Sequence, residues 1–93
     1  MIRSFRCKET EKIWNEQHSR RFPGQIQEKA LHKLQMLHAA RALQDLRVPP
    51  GNRLEALRGD RAGQHSIRIN QQWRICFVWR HGDAHNVEIV DYH

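Results

Sequence analysis

A chain of 93 residues with a 39% hydrophobic fraction has room for one modest core, because domains typically run about 100 to 150 residues, so residues 1–93 are read as a single domain. The longest uncharged apolar run, ICFVW between Arg74 and Arg80, is far below the roughly 20 residues that cross a bilayer, and the opening MIRSFRCKETEKIW lacks the apolar segment of a secretory signal. Cys7 and Cys76 make neither a CxxC pair nor a disulfide framework, which points to a reducing, cytoplasmic setting with no membrane partner.

The formal net charge is +6, and the basic residues divide into 12 Arg and 4 Lys. Arginine holds phosphate through a planar fork of donors, whereas lysine is a mobile point charge, so this balance favours a phosphate-bearing partner over general surface solvation. A basic amphipathic membrane binder is disfavoured, since the large aromatics follow a strand pattern and not one helix face.

In chain order, Ile2 to Arg6 alternates apolar and basic residues and predicts a short first strand. KETEKIWNEQ, from Lys8 to Gln17, predicts a short helix packed through Ile13 and Trp14. Pro23 and Gly24 break the chain before a long helix, on which Ile26, Ala30, Leu34, Leu37 and Ala40 recur at steps of three and four to form one apolar stripe. That stripe drifts at Leu43 and Leu46, so the helix is expected to bend or end in the low forties, and VPPGNR is a firm stop.

RGDRAG then reads as a guanidinium-rich turn, and beyond it the period becomes two. Trp73, Ile75, Phe77 and Trp79 fall on one strand face; Arg74, Cys76, Val78 and Arg80 fall on the other. With NQQ and HGD as turn signals between three strands, the expectation is an α+β domain: a short N-terminal strand and two helices packed on one face of an antiparallel sheet. The other face is left as a working surface.

A two-residue Gly82-Asp83 loop would set His81 opposite Ala84, and then Arg74 opposite Asp91, Cys76 opposite Ile89, Val78 opposite Val87, Ile75 opposite Val90 and Trp73 opposite Tyr92. Opposed Cβ atoms are about 4.5 to 5.5 Å apart, which allows an Arg74–Asp91 ion pair. Alone, such a pair is a cross-strand salt bridge. Beside Tyr92 and His93 it becomes a candidate site, in which a nearby anion would raise the pKa of His93 and make it a proton donor.

The remaining histidines, at 18, 32, 38, 65, 81 and 85, are scattered without a metal-ligand pattern, and no glycine-rich phosphate loop, GxSxG elbow or Cys/His nucleophile signature is present. No cofactor is implied. A basic domain carrying Arg, Asp, Tyr and His suits cleavage of RNA by its own 2′-hydroxyl, which needs a base, an acid and cations around the phosphorane. Asp91 or His93 would exchange protons, Arg74 would stabilise charge, and Tyr92 would stack on or orient a base.

MIRSF, LRGDRAGQHSIRIN, QWRICF and the terminal DYH, in this order across nearly the whole chain, resemble the HigB (host inhibition of growth) branch of the RelE toxin superfamily. The resemblance implies a RelE-like, microbial-ribonuclease-like fold. It also implies a type II toxin that cleaves mRNA in the ribosomal A site and is silenced by a HigA-like helix-turn-helix antitoxin, operator DNA being bound only through the antitoxin complex. The family's C-terminal acid, tyrosine and histidine fall on Asp91, Tyr92 and His93, its strand arginine on Arg74 and its basic residue before the Gly-Asp turn on Arg58. Some members carry a histidine where this chain has Glu55. A carboxylate does not donate as imidazolium does, so Glu55 acts as a base, or proton transfer falls to the terminal cluster, or activity is weak. Arg53, Arg61, Arg68 and Arg80 are the candidate RNA-binding residues. The alternatives are a ParE-like inhibitor of DNA gyrase that cleaves nothing, and a passive ribosome binder.

Overall fold

The computed structural model describes residues 1–92, and His93, a candidate catalytic residue, lies outside the described residues. Helix α1 spans Lys8–Trp14 and α2 spans Gly24–Ala39; strands β1 (Glu55–Ala56), β2 (His65–Arg68), β3 (Trp73–Arg80) and β4 (Asp83–Asp91) follow. All neighbouring strands are antiparallel, in the order β1-β2-β3-β4. No helix among the described residues is long and apolar enough to cross a membrane.

Helix α1 ends three residues short of the expected Gln17 because Glu16 takes a left-handed conformation, φ 59°. The Gln17 N–H then donates to the Lys12 carbonyl (2.8 Å) and Glu16 N–H to that of Ile13 (3.0 Å), a paired C-terminal cap. Helix α2 carries the expected stripe, Ile26, Ala30, Leu34 and Leu37, and with Ala40 just past its end these are all buried, in one core with Ile67, Ile75, Phe77, Val87 and Ile89 of the sheet. It ends at Ala39, and Leu43–Arg47 continues as a separate 3₁₀ turn. The Asp45 carboxylate accepts from the Arg41 and Ala42 backbone N–H groups (3.0 Å each), and these bonds hold its pKa below the usual carboxylate range.

Two expectations are corrected at the edges of the sheet. The N-terminal segment makes only isolated parallel bridges to β4, Ile2 with Ala84 and Phe5 with Val87, instead of a regular strand. The fourth strand is β1, two residues long, beside β2.

The register of the last hairpin also differs from expectation. The loop is His81-Gly82, both residues at positive φ (53° and 79°), and Arg80 pairs with Asp83. These are the dihedral signs of a type I′ turn, whose twist suits a tight hairpin. Consequently Arg74 stands opposite Val90, Trp73 opposite Asp91, Ile75 opposite Ile89 and Cys76 opposite Glu88. Val78 faces His85, because Asn86 (φ 53°) makes a bulge opposite Phe77. The cause is the hydrophobic pattern: this register sends Val87 and Ile89 into the core beside Ile75 and Phe77, whereas a slip of one would expose them.

One buried hydroxyl ties helix to sheet. Thr10 Oγ1 accepts from the Ile89 N–H (2.9 Å) on the outer edge of β4. Thr10→Val keeps the volume and orphans that donor, so chemical denaturation should show a loss of about 1–3 kcal/mol. A change within about 0.3 kcal/mol would mean the bond contributes nothing.

Candidate active site

The face of the sheet away from the helices is built by alternation. Arg74 and Cys76 of β3, Ser66 and Arg68 of β2, Glu55 of β1 and Glu88 of β4 share it, because each pairs with another of the set across the strands. Arg74 lies near its centre and is only 7% exposed. Its Nη1 donates to Ser66 Oγ (3.1 Å) and lies 3.5 Å from Glu55 Oε1; its Nη2 donates to the Arg53 carbonyl (3.2 Å). The guanidinium carbon also sits 5.2 Å from the centre of the Tyr92 ring. Tyr92 Oη in turn donates to Glu55 Oε1 (3.3 Å), so the Glu55 carboxylate is held between a buried cation and a phenol.

Arg53 reaches this arrangement through an unusual backbone, φ 46° and ψ 54°, directly after the Pro50–Asn52 turn. That left-handed residue aims its carbonyl at Arg74. Tyr92 is fixed from the other side, its N–H donating to the Gln72 carbonyl (2.6 Å). A cleft of about 390 Å³ opens over the group, lined by Glu55, Ala56, Leu57, Arg58 and Tyr92, which places Arg58 at its rim.

Asp91 does not pair with Arg74. It stands opposite Trp73, whose indole packs edge-on against Phe22 with centroids 5.6 Å apart on the helix side. Asp91 Oδ2 accepts from Gln72 Nε2 (3.1 Å) and lines a larger cleft of about 740 Å³ with Arg6, Arg21 and Trp73. The ion pair of Arg74 is made with Glu55 in its place.

Of the four candidate RNA-binding arginines, Arg68 lies directly opposite Arg74 and Arg53 contacts it by backbone. Arg61 is bound to Glu88 Oε1 (2.7 Å) and Gln64 Oε1 (3.1 Å), and the Glu88 bond holds it still more firmly protonated. Arg80 is left out, since it pairs with Asp83 at the hairpin end, six residues from Arg74 and therefore about 20 Å along the strand.

Cys76 lies beneath Arg61 and Glu88, fully buried, and burial pushes its thiol pKa up. A protonated, enclosed thiol is no nucleophile. Among the described residues no three His, Cys, Asp or Glu side chains gather as metal ligands.

Two residues of this face escaped sequence reasoning. Ser66 anchors Arg74, and its signal was a small polar residue in phase with Arg68 on a strand. Glu88 clamps Arg61, and its signal was a lone acid between Val87 and Ile89.

The chain can be set against known proteins. Residues 3–93 match the family model described as the RelE-like toxin of type II toxin-antitoxin system HigB. Toxin HigB-1 of Vibrio cholerae serotype O1 is 41% identical over 87 residues, covering 92% of each chain. Endoribonuclease HigB of Proteus vulgaris is 31% identical over 93 residues, covering 100% of both. In the YoeB-YefM complex from Staphylococcus aureus, one chain superposes with a TM-score of 0.62 at 16% identity, over 100% of this chain and 98% of that one. The last likeness shows a shared fold, and the full-length sequence matches show more: the chain belongs to the HigB-like toxins, RelE-like toxins of type II toxin-antitoxin systems.

Proposed function

We propose that the chain is a ribosome-dependent mRNA endoribonuclease that acts in the A site without a metal. The observation that carries this reading is the Glu55 carboxylate held between Arg74 and Tyr92 on a face rich in guanidinium groups. The name of the Proteus vulgaris relative supports it. Glu55 takes the proton of the attacking 2′-hydroxyl. Arg74, with Arg58 at the cleft rim, neutralises the phosphorane, and His93 protonates the departing 5′ oxygen. Tyr92 orients Glu55 and offers a ring to a base. Asp91, on the opposite face, positions the chain end through Gln72.

Arg53, Arg61 and Arg68 hold the RNA backbone, and Arg80 meets a more distant phosphate or ribosomal RNA. The partner that silences the toxin is a HigA-like helix-turn-helix antitoxin, through which operator DNA is bound, and all of this takes place in the cytoplasm. Free protein is expected to be nearly inert on RNA, because the ribosome supplies the substrate's geometry.

Primer extension on mRNA after induction tests the reading. Wild type should produce new 5′ ends within translated frames. Loss of His93 should remove about 10²- to 10³-fold of the cleavage, and Asp91→Ala, which acts through positioning alone, about 10-fold. Unchanged mRNA ends in wild type, or a gyrase supercoiling defect in place of cleavage, would overturn it.

A further inference from the structure

Four cations converge on a second cleft beside the first. Lys29 and Lys33 from α2, Arg53 after the Pro50–Asn52 turn and Arg68 at the end of β2 line a space of about 370 Å³, with Asn70 and Gln71 of the β2–β3 turn at its rim. No carboxylate lines it. Among the described residues none of these four cations makes a salt bridge, whereas Arg3, Arg6, Lys12, Arg61 and Arg74 all do.

Lys33 is the telling member. It is 7% exposed, and its ammonium donates to Asn52 Oδ1. The Asn52 Nδ2 is committed to the carbonyls of Leu46 (3.1 Å) and Val48 (3.3 Å), so the amide is locked with its oxygen toward Lys33. A buried ammonium has three donors and is unfavourable without a counter-charge. Burial and the neighbouring charge of Lys29 push its pKa down. Arg68 adds a further cation: it stands directly opposite Arg74 across the strands, and the nearby Glu55 carboxylate is engaged by Arg74 and Tyr92.

We propose that this cleft is a second phosphate subsite, holding a backbone phosphate of the RNA strand whose scissile phosphate lies at Arg74. The inference rests on the nuclease reading and extends it. Arg53 and Arg68 join the two places: Arg53 gives its carbonyl to Arg74 and also lines the cleft, and Arg68 is Arg74's neighbour across the strands. One strand of RNA therefore meets the two clefts in succession. The subsite fixes where the strand lies over Glu55, independent of base identity, since phosphate contacts position without reading sequence.

The test uses purified full-length protein, a 2′-O-methyl RNA hexamer that cannot be cut, and inorganic phosphate as the free-ion probe. Lys29→Gln with Lys33→Met should weaken the hexamer about 10- to 30-fold near 0.1 M salt and flatten the salt dependence of log Kd by about 1.4. Lys29→Gln alone, at an exposed position, should give about half of that change in slope with an unaltered melting curve, which separates lost contact from lost fold. Arg20→Gln removes one charge away from the cleft and should leave hexamer affinity within about twofold.

Equal losses in the Arg20 and Lys29 variants would overturn the subsite, as would unaltered hexamer binding in the double variant. Binding of inorganic phosphate with no effect of the variants on RNA would do the same. So would loss of antitoxin affinity in place of RNA affinity. If wild type cuts mRNA on ribosomes while the variants bind RNA normally, only this inference fails. If the variants lose RNA while wild type cuts nothing, the nuclease reading fails and the subsite stands.

Discussion

Glu55→Gln is expected to lower mRNA cleavage on ribosomes by about 10²- to 10⁴-fold while leaving the fold intact. Glutamine has the same shape and keeps an oxygen to accept from Tyr92 Oη, 3.3 Å away in the native chain. It cannot remove a proton from a 2′-hydroxyl. Glu55 is exposed on the two-residue β1 but is the carboxylate partner of the buried Arg74, so urea titration should show a loss of about 1–3 kcal/mol, small enough to leave the chain folded. Single-turnover cleavage at saturating toxin isolates the chemical step from ribosome binding. Activity within a few-fold of wild type would remove Glu55 as the base and hand proton transfer to the C-terminal residues. In that event loss of His93 should carry the whole effect. If both variants were nearly wild type, the proton-transfer scheme would have no remaining member.

The same residue marks where sequence reasoning reached its limit. Strands β2 to β4 and helix α2 were legible because period two and period 3.6 run for several repeats; Ile75, Phe77 and the helix stripe are buried as nominated, while Trp73 and Trp79 pack half-buried against that core. Glu55 and Ala56 are a strand of two residues, too short to have a period, so the position of Glu55 beside Arg74 could only come from three dimensions. The hairpin register was missed for a different reason. His81-Gly82 and Gly82-Asp83 are both acceptable two-residue loops, and choosing between them shifts every partner on β4 by one. The decision is made far from the turn, by the burial of Val87 and Ile89, and is then modified by the Asn86 bulge. A sequence pairing that placed Arg74 against Asp91 therefore chose the right cation and the wrong anion. Ser66 shows a third kind of blindness: a serine in a strand carries no mark of what it anchors until a buried guanidinium is found beside it.

Arg74→Lys is the sharper test of what the centre of this face does. Lysine preserves the charge and loses the planar fork. In the native chain that fork spans Ser66 Oγ at 3.1 Å, the Arg53 carbonyl at 3.2 Å and Glu55 Oε1 at 3.5 Å, with the Tyr92 ring 5.2 Å from the guanidinium carbon. A single ammonium has no geometry that meets all four. Ser66 and the Arg53 carbonyl lose a charged donor in a buried place, so thermal or urea unfolding should show a loss of about 1–3 kcal/mol. Glu55 and Tyr92 lose the element that fixes their separation, and the developing phosphorane loses a preorganised two-point partner. Cleavage should therefore fall about 10²- to 10³-fold, in the chemical step more than in ribosome affinity. The comparison with Arg68→Lys separates shape from charge. Arg68 faces the neighbouring cleft, where a phosphate held for position alone tolerates a point charge, and that variant should lose no more than about fivefold. Equal, small effects at the two arginines would mean that charge alone matters on this face. In that case Arg74 is a structural bolt of the sheet and Glu55 works without it.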